Sequence, residues 1–251
     1  MVEFQRDGGV ARIFLNRPQK VNALDSALLD ELAASLVRLA DDESLRVVVL
    51  GGRGRAFCGG ADIDELASLT AATAEAFVAR IHRVCAAIRA LPVPVVARLH
   101  GAVIGAGLEL AAACDLRVAE HGVRFAMPEV KLGIPSVVEA ALLPRLMGSG
   151  RAAWLVLTGE PIDAERAHAW GLVEQISAPG ELDQTVSQVV DSLLAGDRAA
   201  LRMQKELLQM WDELPLAGAV TASIARFAGA YAAGGERIRH TISRAKSRKA
   251  H

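Results

Sequence analysis

Short apolar runs alternate with glycine-rich turns along the first half of this chain, and uninterrupted helical periodicity replaces them toward its end. That order limits the fold more than any single motif. Residues 2–6 and 10–15 alternate in polarity around Asp7-Gly8-Gly9, a hairpin signal, and Asn16-Arg17-Pro18 breaks the second run. Leu28, Leu29, Leu32, Leu36 and Leu39 recur at helical spacing, with Asp25 or Ser26 placed to cap the first turn. The pattern predicts a buried strand over 46–50, a short helix over 62–67, and a longer helix over 73–91 stopped by Pro92 and Pro94. A strand over 95–99, a helix of small residues over 105–114 and strands over 116–119 and 123–126 follow. Helices are then expected over 137–147, 151–157 and 164–170, with one strand over 172–176. From Glu181 to Arg248 the period is 3.6 almost throughout. Strands mixed with helices first, and helices alone last, imply an α/β core (residues 1–190) and a helical C-terminal region (191–251).

Composition narrows the function. The 251 residues carry 28 Lys+Arg against 29 Asp+Glu, a net charge of −1, so no global attraction to nucleic acid or anionic lipid is expected. The chain is 52% hydrophobic but only 4% aromatic, so its core is built from Ala, Val, Leu and Ile. Cys58, Cys85 and Cys114 are odd in number and widely spaced, which argues against a disulfide framework or a conventional zinc module and favours a reducing compartment. The first residues carry Glu3, Arg6 and Asp7 with no apolar signal core, and no uncharged apolar run approaches the roughly 20 residues that cross a bilayer. The expectation is a soluble cytoplasmic protein with no nucleic-acid or membrane partner.

Several common chemistries drop out. There is no HExxH and no GxSxG. Gly105-Ala106-Gly107 puts Leu110 where a dinucleotide fingerprint needs its third glycine, and it lies mid-chain. Two glycine-rich turns remain, 56–62 and 100–109, each leading into a helix. Unpaired N–H groups at helix starts carry partial positive charge, so two such turns converging would hold an oxyanion; taken singly, each is better explained as a tight strand-to-helix connection. Glu109 sits on an otherwise apolar helix, where burial would raise its pKa into the range useful for proton transfer. Glu129 follows Pro128 at the end of a strand. An exposed helix glutamate and an ion-paired loop glutamate are the plain alternatives for these two.

The segments LNRPQKVNAL (15–24), AFCGGADI (56–63), GAVIGAGLELAAACDLRVA (101–119), PEVKLGIP (128–135) and LTGEPIDAERAHAWGLV (157–173) occur together, in order and spacing, in a way that resembles the crotonase, or enoyl-CoA hydratase/isomerase, superfamily. The resemblance implies an α/β spiral of ββα units with a C-terminal helical region used for trimerisation, commonly as a dimer of trimers. It implies an acyl-CoA thioester ligand and no separate cofactor, coenzyme A being part of the substrate. It assigns the oxyanion donors to the backbone N–H groups of Ala61 and Ala106, and the edge of the CoA site to Lys20, Val21, Ala23 and Gly60, Ala61, Asp62, Ile63 and Asp64. Glu109 and Glu129 match the two glutamates of hydratases, Glu109 as base toward water and Glu129 as proton donor to C2. The implied reaction is addition of water to a 2,3-unsaturated acyl-CoA. The alternatives are a double-bond isomerase or another CoA-thioester lyase or hydrolase of the same fold and, outside catalysis, an acyl-CoA-binding protein.

Two regions depart from the resemblance. Residues 133–146 are bulkier than the glycine-rich stretch of hydratases and introduce Glu139, read here as a solvent-facing helix glutamate in preference to a third acid near the substrate. Residues 236–251 hold Arg237, Arg239, Arg244, Lys246, Arg248 and Lys249 against Glu236, read as a solvated helix end ahead of a contact with CoA phosphates; Arg202 and Lys205 share that ambiguity. Cys58, Cys114, His82, His100, His168, Trp154, Trp170 and Trp211 are expected to be structural.

Overall fold

The computed structural model describes residues 1–249, with side chains as far as 243. The expected hairpin forms, β1 (Val2–Asp7) pairing antiparallel with β2 (Val10–Leu15). From β2 the pairing turns parallel through β3 (Val47–Gly52), β4 (Val95–Leu99), β6 (Leu116–Glu120) and β9 (Gln175–Ser177), in the order β1-β2-β3-β4-β6-β9. A smaller sheet holds β5 (Ala102–Ile104), β7 (Arg124–Ala126) and β8 (Ile162–Asp163).

The path of the chain repeats. β3 leads to a single bridge at Cys58 and into α2 (Ile63–Ser68); β4 leads to β5 and α4 (Ala106–Ala113); β6 leads to β7 and a 3-10 turn, Glu129–Leu132. Each turn contributes one strand to the large sheet and one segment to the small one, where Cys58 pairs with Val103 and β5 with β7. The result is a spiral of ββα units.

β3 is buried along its whole length because helices cover both faces of the sheet. Alternate residues of a strand face opposite sides. Val48 and Leu50 therefore join the core made with α1 (Ser26–Ala40), α3 (Ala71–Ala90) and α4, while Val47 and Val49 meet Leu182, Val186 and Val190 of α8 (Leu182–Leu194). The leucine period builds α1, and its cap is Asp25, which accepts from the Leu28 N–H at 2.8 Å. Buried Arg117 donates to the carbonyls of Ala111 (3.3 Å), Cys114 (2.7 Å) and Leu172 (2.8 Å), tying the C-terminal end of α4 to the core.

Four expectations need correction. The helix over 137–147 is broken into a 3-10 turn, Val138–Leu142, and α5 (Leu143–Met147), which has Pro144 in its first turn, where a missing N–H costs least. The strand expected over 172–176 forms later, at Gln175–Ser177, and β5 and β8 are too short to register as periodicity. α6 (Ser149–Thr158) and α7 (Ala164–Ala169) form where expected. A boundary at 190/191 would cut α8; because Val186 and Val190 pack on the sheet valines, the first compact unit is Met1–Ala195.

The second unit begins at Gly196 and holds α9 (Arg198–Glu213) and α10 (Leu216–Lys249), which departs from helical geometry at Gly234. Within it Arg226 pairs with Glu206, and Arg237 with Asp197. By length and composition alone, Leu216–Ser243 is long and apolar enough to cross a bilayer, although Arg226 keeps it from being an uncharged run. Arg202 pairs with Glu206, and Lys205 is buried and not solvent-facing. The side chains of Arg244, Lys246, Arg248 and Lys249 lie outside the described residues.

Candidate active site

Two turns run side by side to build the site. The Cys58 N–H donates to Ala102 O and the Ile104 N–H to Cys58 O, both at 3.0 Å. On the other flank, Leu24 N–H donates to Gly60 O (2.8 Å) and Asp62 N–H to Leu24 O (2.9 Å). This bridge uses the groups on either side of Ala61 and leaves its own N–H with no protein acceptor among the described residues. Ala106 is the first residue of α4, so its N–H is one of the orphan donors of a helix start, and it too has no protein acceptor there. Gly60 brings the two donors together: its φ is +102°, and a Cβ would stand 3.0 Å from Ile104 O and 4.0 Å from Ala106 N. A side chain at Gly60 would be strained and would crowd that approach.

Glu109 projects from the first turn of α4 and is 4% exposed. Burial first, then the nearby Glu129 and Glu139 carboxyls, push its pKa up to about 8, against a smaller lowering by the Ala140 N–H it accepts. Glu129 opens the 3-10 turn after β7, and Ser136 Oγ donates to its Oε2 at 2.9 Å. Its Oε1 lies so close to the start of α4 that a Cβ on Gly105, at φ +52°, would come within 2.4 Å of it. Both glutamates line one cavity of about 280 Å³ together with Gly60, Ala61 and Ala106, and Leu66, Phe77, Ile81, Ile104, Leu132 and Val137 supply its apolar walls. With its pKa pushed up to about 8, Glu109 retains its proton at neutral pH. The site therefore offers a proton donor, a proton acceptor and two unpaired N–H groups in one partly apolar chamber.

Of the residues expected at the site, Gly60, Ala61, Ile63, Ala106, Glu109 and Glu129 come together around this cavity. Lys20, Val21, Ala23, Asp62 and Asp64 do not line it. Asp62 is a buried cap, accepting from the N–H groups of Asp64 (3.0 Å) and Glu65 (3.4 Å) and from Arg17 (3.2 Å). Lys20 pairs with Asp64 at 2.6 Å, Val21 O accepts from Gly59 N–H at 2.8 Å, and Ala23 O accepts from Arg17 at 2.5 Å. These residues hold the first turn in place. Asn22, buried at their centre, adds donations to Arg53 O and Ala56 O, both at 2.8 Å.

The solvent-facing reading of Glu139 is overturned: it is buried, and its Oε1 is 2.8 Å from Nδ1 of His82. The 3-10 turn that carries it packs on α3 and α4, which turns the side chain inward. Ser136 was not anticipated either; a serine seven residues beyond a glutamate carries no periodic signature. The structural readings agree with the contacts elsewhere. Burial pushes the Cys58 thiol up to about 12, His100 Nε2 is 2.9 Å from Gly54 O, and Trp154 and Trp170 meet edge to face.

The chain is similar to known proteins over most of its length. Residues 5–235 match the family described as enoyl-CoA hydratase/isomerase. The crotonyl-CoA hydratase of Syntrophomonas wolfei is 34% identical over 203 residues, 80% of this chain and 78% of that one. The short-chain-enoyl-CoA hydratase of Clostridium acetobutylicum is 32% identical over 209 residues, 82% of this chain and 80% of that one. The crystal structure of an enoyl-CoA hydratase from Mycobacterium smegmatis matches with a TM-score of 0.89 and 37% identity, covering 92% of this chain and 90% of that one. With two glutamates and two free N–H groups gathered in a spiral of ββα units, and with relatives matching over most of its length, the chain belongs to the enoyl-CoA hydratase/isomerase family and is a crotonase-fold enzyme.

Proposed function

We propose that this enzyme adds water across the 2,3 double bond of an enoyl-CoA. The observation that carries the reading is the pair Glu109 and Glu129 lining one cavity with the unpaired N–H groups of Ala61 and Ala106. The thioester oxygen accepts from both N–H groups, which stabilise the enolate formed when water bonds to C3; one such donor contributes about 2.7–4 kcal/mol in comparable sites. One glutamate takes the proton from the attacking water and the other delivers a proton to C2, so the pair must enter the reaction with one proton between them. The raised pKa of Glu109 supports that state at neutral pH and puts the resting proton on Glu109. A water bridging the carboxyls gives that proton a path to Glu129, leaving Glu109 as base. Coenzyme A belongs to the substrate, and the reaction written this way uses no other cofactor. The same reading assigns contact with the CoA moiety to the edge of the first turn, where Lys20 and Asp64 pair.

The same proposal includes self-association through the helical unit and a reducing cytoplasmic setting. Ile224, Phe227 and Leu216 of α10 are 68%, 69% and 81% exposed, an apolar surface that a homotrimer or dimer of trimers would cover. The three cysteines are buried and form no disulfide among the described residues, in keeping with that setting.

Loss of enoyl-thioester absorbance with crotonyl-CoA tests the reaction. Wild type turns over, and Glu109→Gln and Glu129→Gln each lose roughly 10²–10⁴ in rate. Turnover of a 3-enoyl thioester with none of crotonyl-CoA would replace hydration by isomerisation; light scattering reads the oligomer.

A further inference from the structure

The cavity that holds Glu109 and Glu129 is small, about 280 Å³. At about 30 Å³ for a group the size of a water molecule, that is room for roughly nine such groups. The thioester carbon, oxygen and sulfur and the attacking water take about four of them, so roughly five carbons fit beyond the carbonyl. With the oxygen on the Ala61 and Ala106 N–H groups, those carbons have Leu66, Phe77, Val78 and Ile81 on one side and Ile134 and Val137 on the other.

α3 closes the cavity. Phe77 and Ile81, four apart, and Val78, three before Ile81, share one face of that helix. Phe77 and Ile81 are 1% and 4% exposed and belong to the core that α3 shares with α1, so the wall they form has packed side chains behind it. One turn further along, Cys85 is buried and does not line the cavity. Its thiol hydrogen-bonds to Glu139, whose Oε1 is 2.8 Å from His82 Nδ1, and the 3-10 turn carrying Glu139 packs on both α3 and α4. That packing ends the cavity beyond Ile81. Apart from the two glutamates, the charged lining residue is Lys131, and its Nζ is 2.7 Å from Glu160. A carboxylate at the end of an acyl tail would therefore meet apolar walls and two acids.

We propose that the cavity accepts a short acyl group of about four to six carbons with an unsubstituted hydrocarbon tail, and that Phe77, with Ile81, is the specificity-determining wall that sets the limit. The inference deepens the hydratase reading and rests on it for where the thioester lies. Each methylene added up to the wall gains about fourfold in binding. The first added past it has to displace a core side chain, which costs at least about tenfold.

Two length series test this. Binding of butyryl-, hexanoyl-, octanoyl- and dodecanoyl-CoA, read by calorimetry, needs no turnover; kcat/KM for the matching 2-enoyl-CoAs follows the reaction. In wild type both series are expected to rise from four carbons to six and to fall at least about tenfold at eight. Phe77→Leu, and the more disruptive Phe77→Ala, should raise the eight-to-four ratio by at least about tenfold. Val78→Phe, at a half-buried position, should lower the six-to-four ratio. Each ratio is taken on one preparation, so any loss of folded protein cancels. Glutaryl-CoA should bind at least about tenfold more weakly than pentanoyl-CoA. Equal use of every length, or a profile that levels off because longer chains leave past Ile134 and Val137, would overturn the proposal. So would ratios unmoved in all three variants, or glutaryl-CoA held as well as pentanoyl-CoA. A length limit in the binding series with no 2-enoyl-CoA hydrated would uphold the limit and remove the hydratase reading; equal hydration at every length would do the reverse.

Discussion

Ala106→Pro isolates one backbone N–H. Ala106 is the first residue of α4, the position where proline is best tolerated in a helix. Its N–H has no protein acceptor among the described residues, so folding loses no hydrogen bond there when the proton is replaced by a ring carbon. The preceding residue is Gly105 at φ +52°, ψ −124°, the mirror image of the extended conformation that a residue before proline prefers, and glycine adopts either hand. Proline also narrows the unfolded ensemble, worth about 0.4–1 kcal/mol, so Tm should move by no more than about 2–4 °C. The enolate, by contrast, loses one of its two donors. At about 2.7–4 kcal/mol per donor, kcat/KM for crotonyl-CoA should fall by about 10²–10³. Ala106→Gly keeps the N–H and should stay within a few-fold of wild type. The assay is the absorbance decay, paired with a thermal melt of each variant. A folded Ala106→Pro protein with nearly wild-type turnover would refute the oxyanion assignment, and a large fall in Tm would show that the N–H serves the fold.

Two further predictions follow from the same geometry. With a folded pKa of about 8 against an ordinary 4.5, Glu109 holds its proton longer when folded, so its burial costs nothing below about pH 4.5 and the cost grows as pH rises through about 8. Glu109→Gln should therefore gain stability on wild type with rising pH, by an amount on the order of 5 kcal/mol at most; urea denaturation at about pH 6 and about pH 9 checks this, and a pH-independent difference refutes it. Gly105→Ala would put a methyl 2.4 Å from Glu129 Oε1 at a left-handed backbone position. It should cost about 1 kcal/mol of stability and, by displacing the carboxylate, at least about tenfold in kcat/KM even where the protein remains folded.

Much of the fold was legible because its signals are local. The hairpin around Gly8, the leucine stripe of α1, the long α3 and the helical C-terminal region follow from polarity periods and turn residues a few positions apart. Where the reading failed, the deciding contact was remote. β5 and β8 span three and two residues and exist only because strands elsewhere in the chain pair with them. α8 belongs to the first unit because its valines meet the far face of the large sheet.

The site divides in the same way. Glycine-rich turns ahead of helices, and a glutamate on an apolar helix, are written in the sequence and pointed to oxyanion and proton chemistry before any geometry was known. That Ala61 and Ala106 keep their N–H groups free depends on a bridge to Leu24 and on the start of α4, which lie well apart along the chain. Glu139 shows the limit most sharply. Its neighbours in sequence make it an ordinary surface glutamate; the packing of its 3-10 turn on α3 and α4 buries it beside Glu109 and under His82. Sequence by itself determined which residues were capable of the chemistry, because side-chain type and local period are one-dimensional properties. Only the tertiary structure decided their proton affinities, because burial and the distance between charges exist only once remote segments have packed.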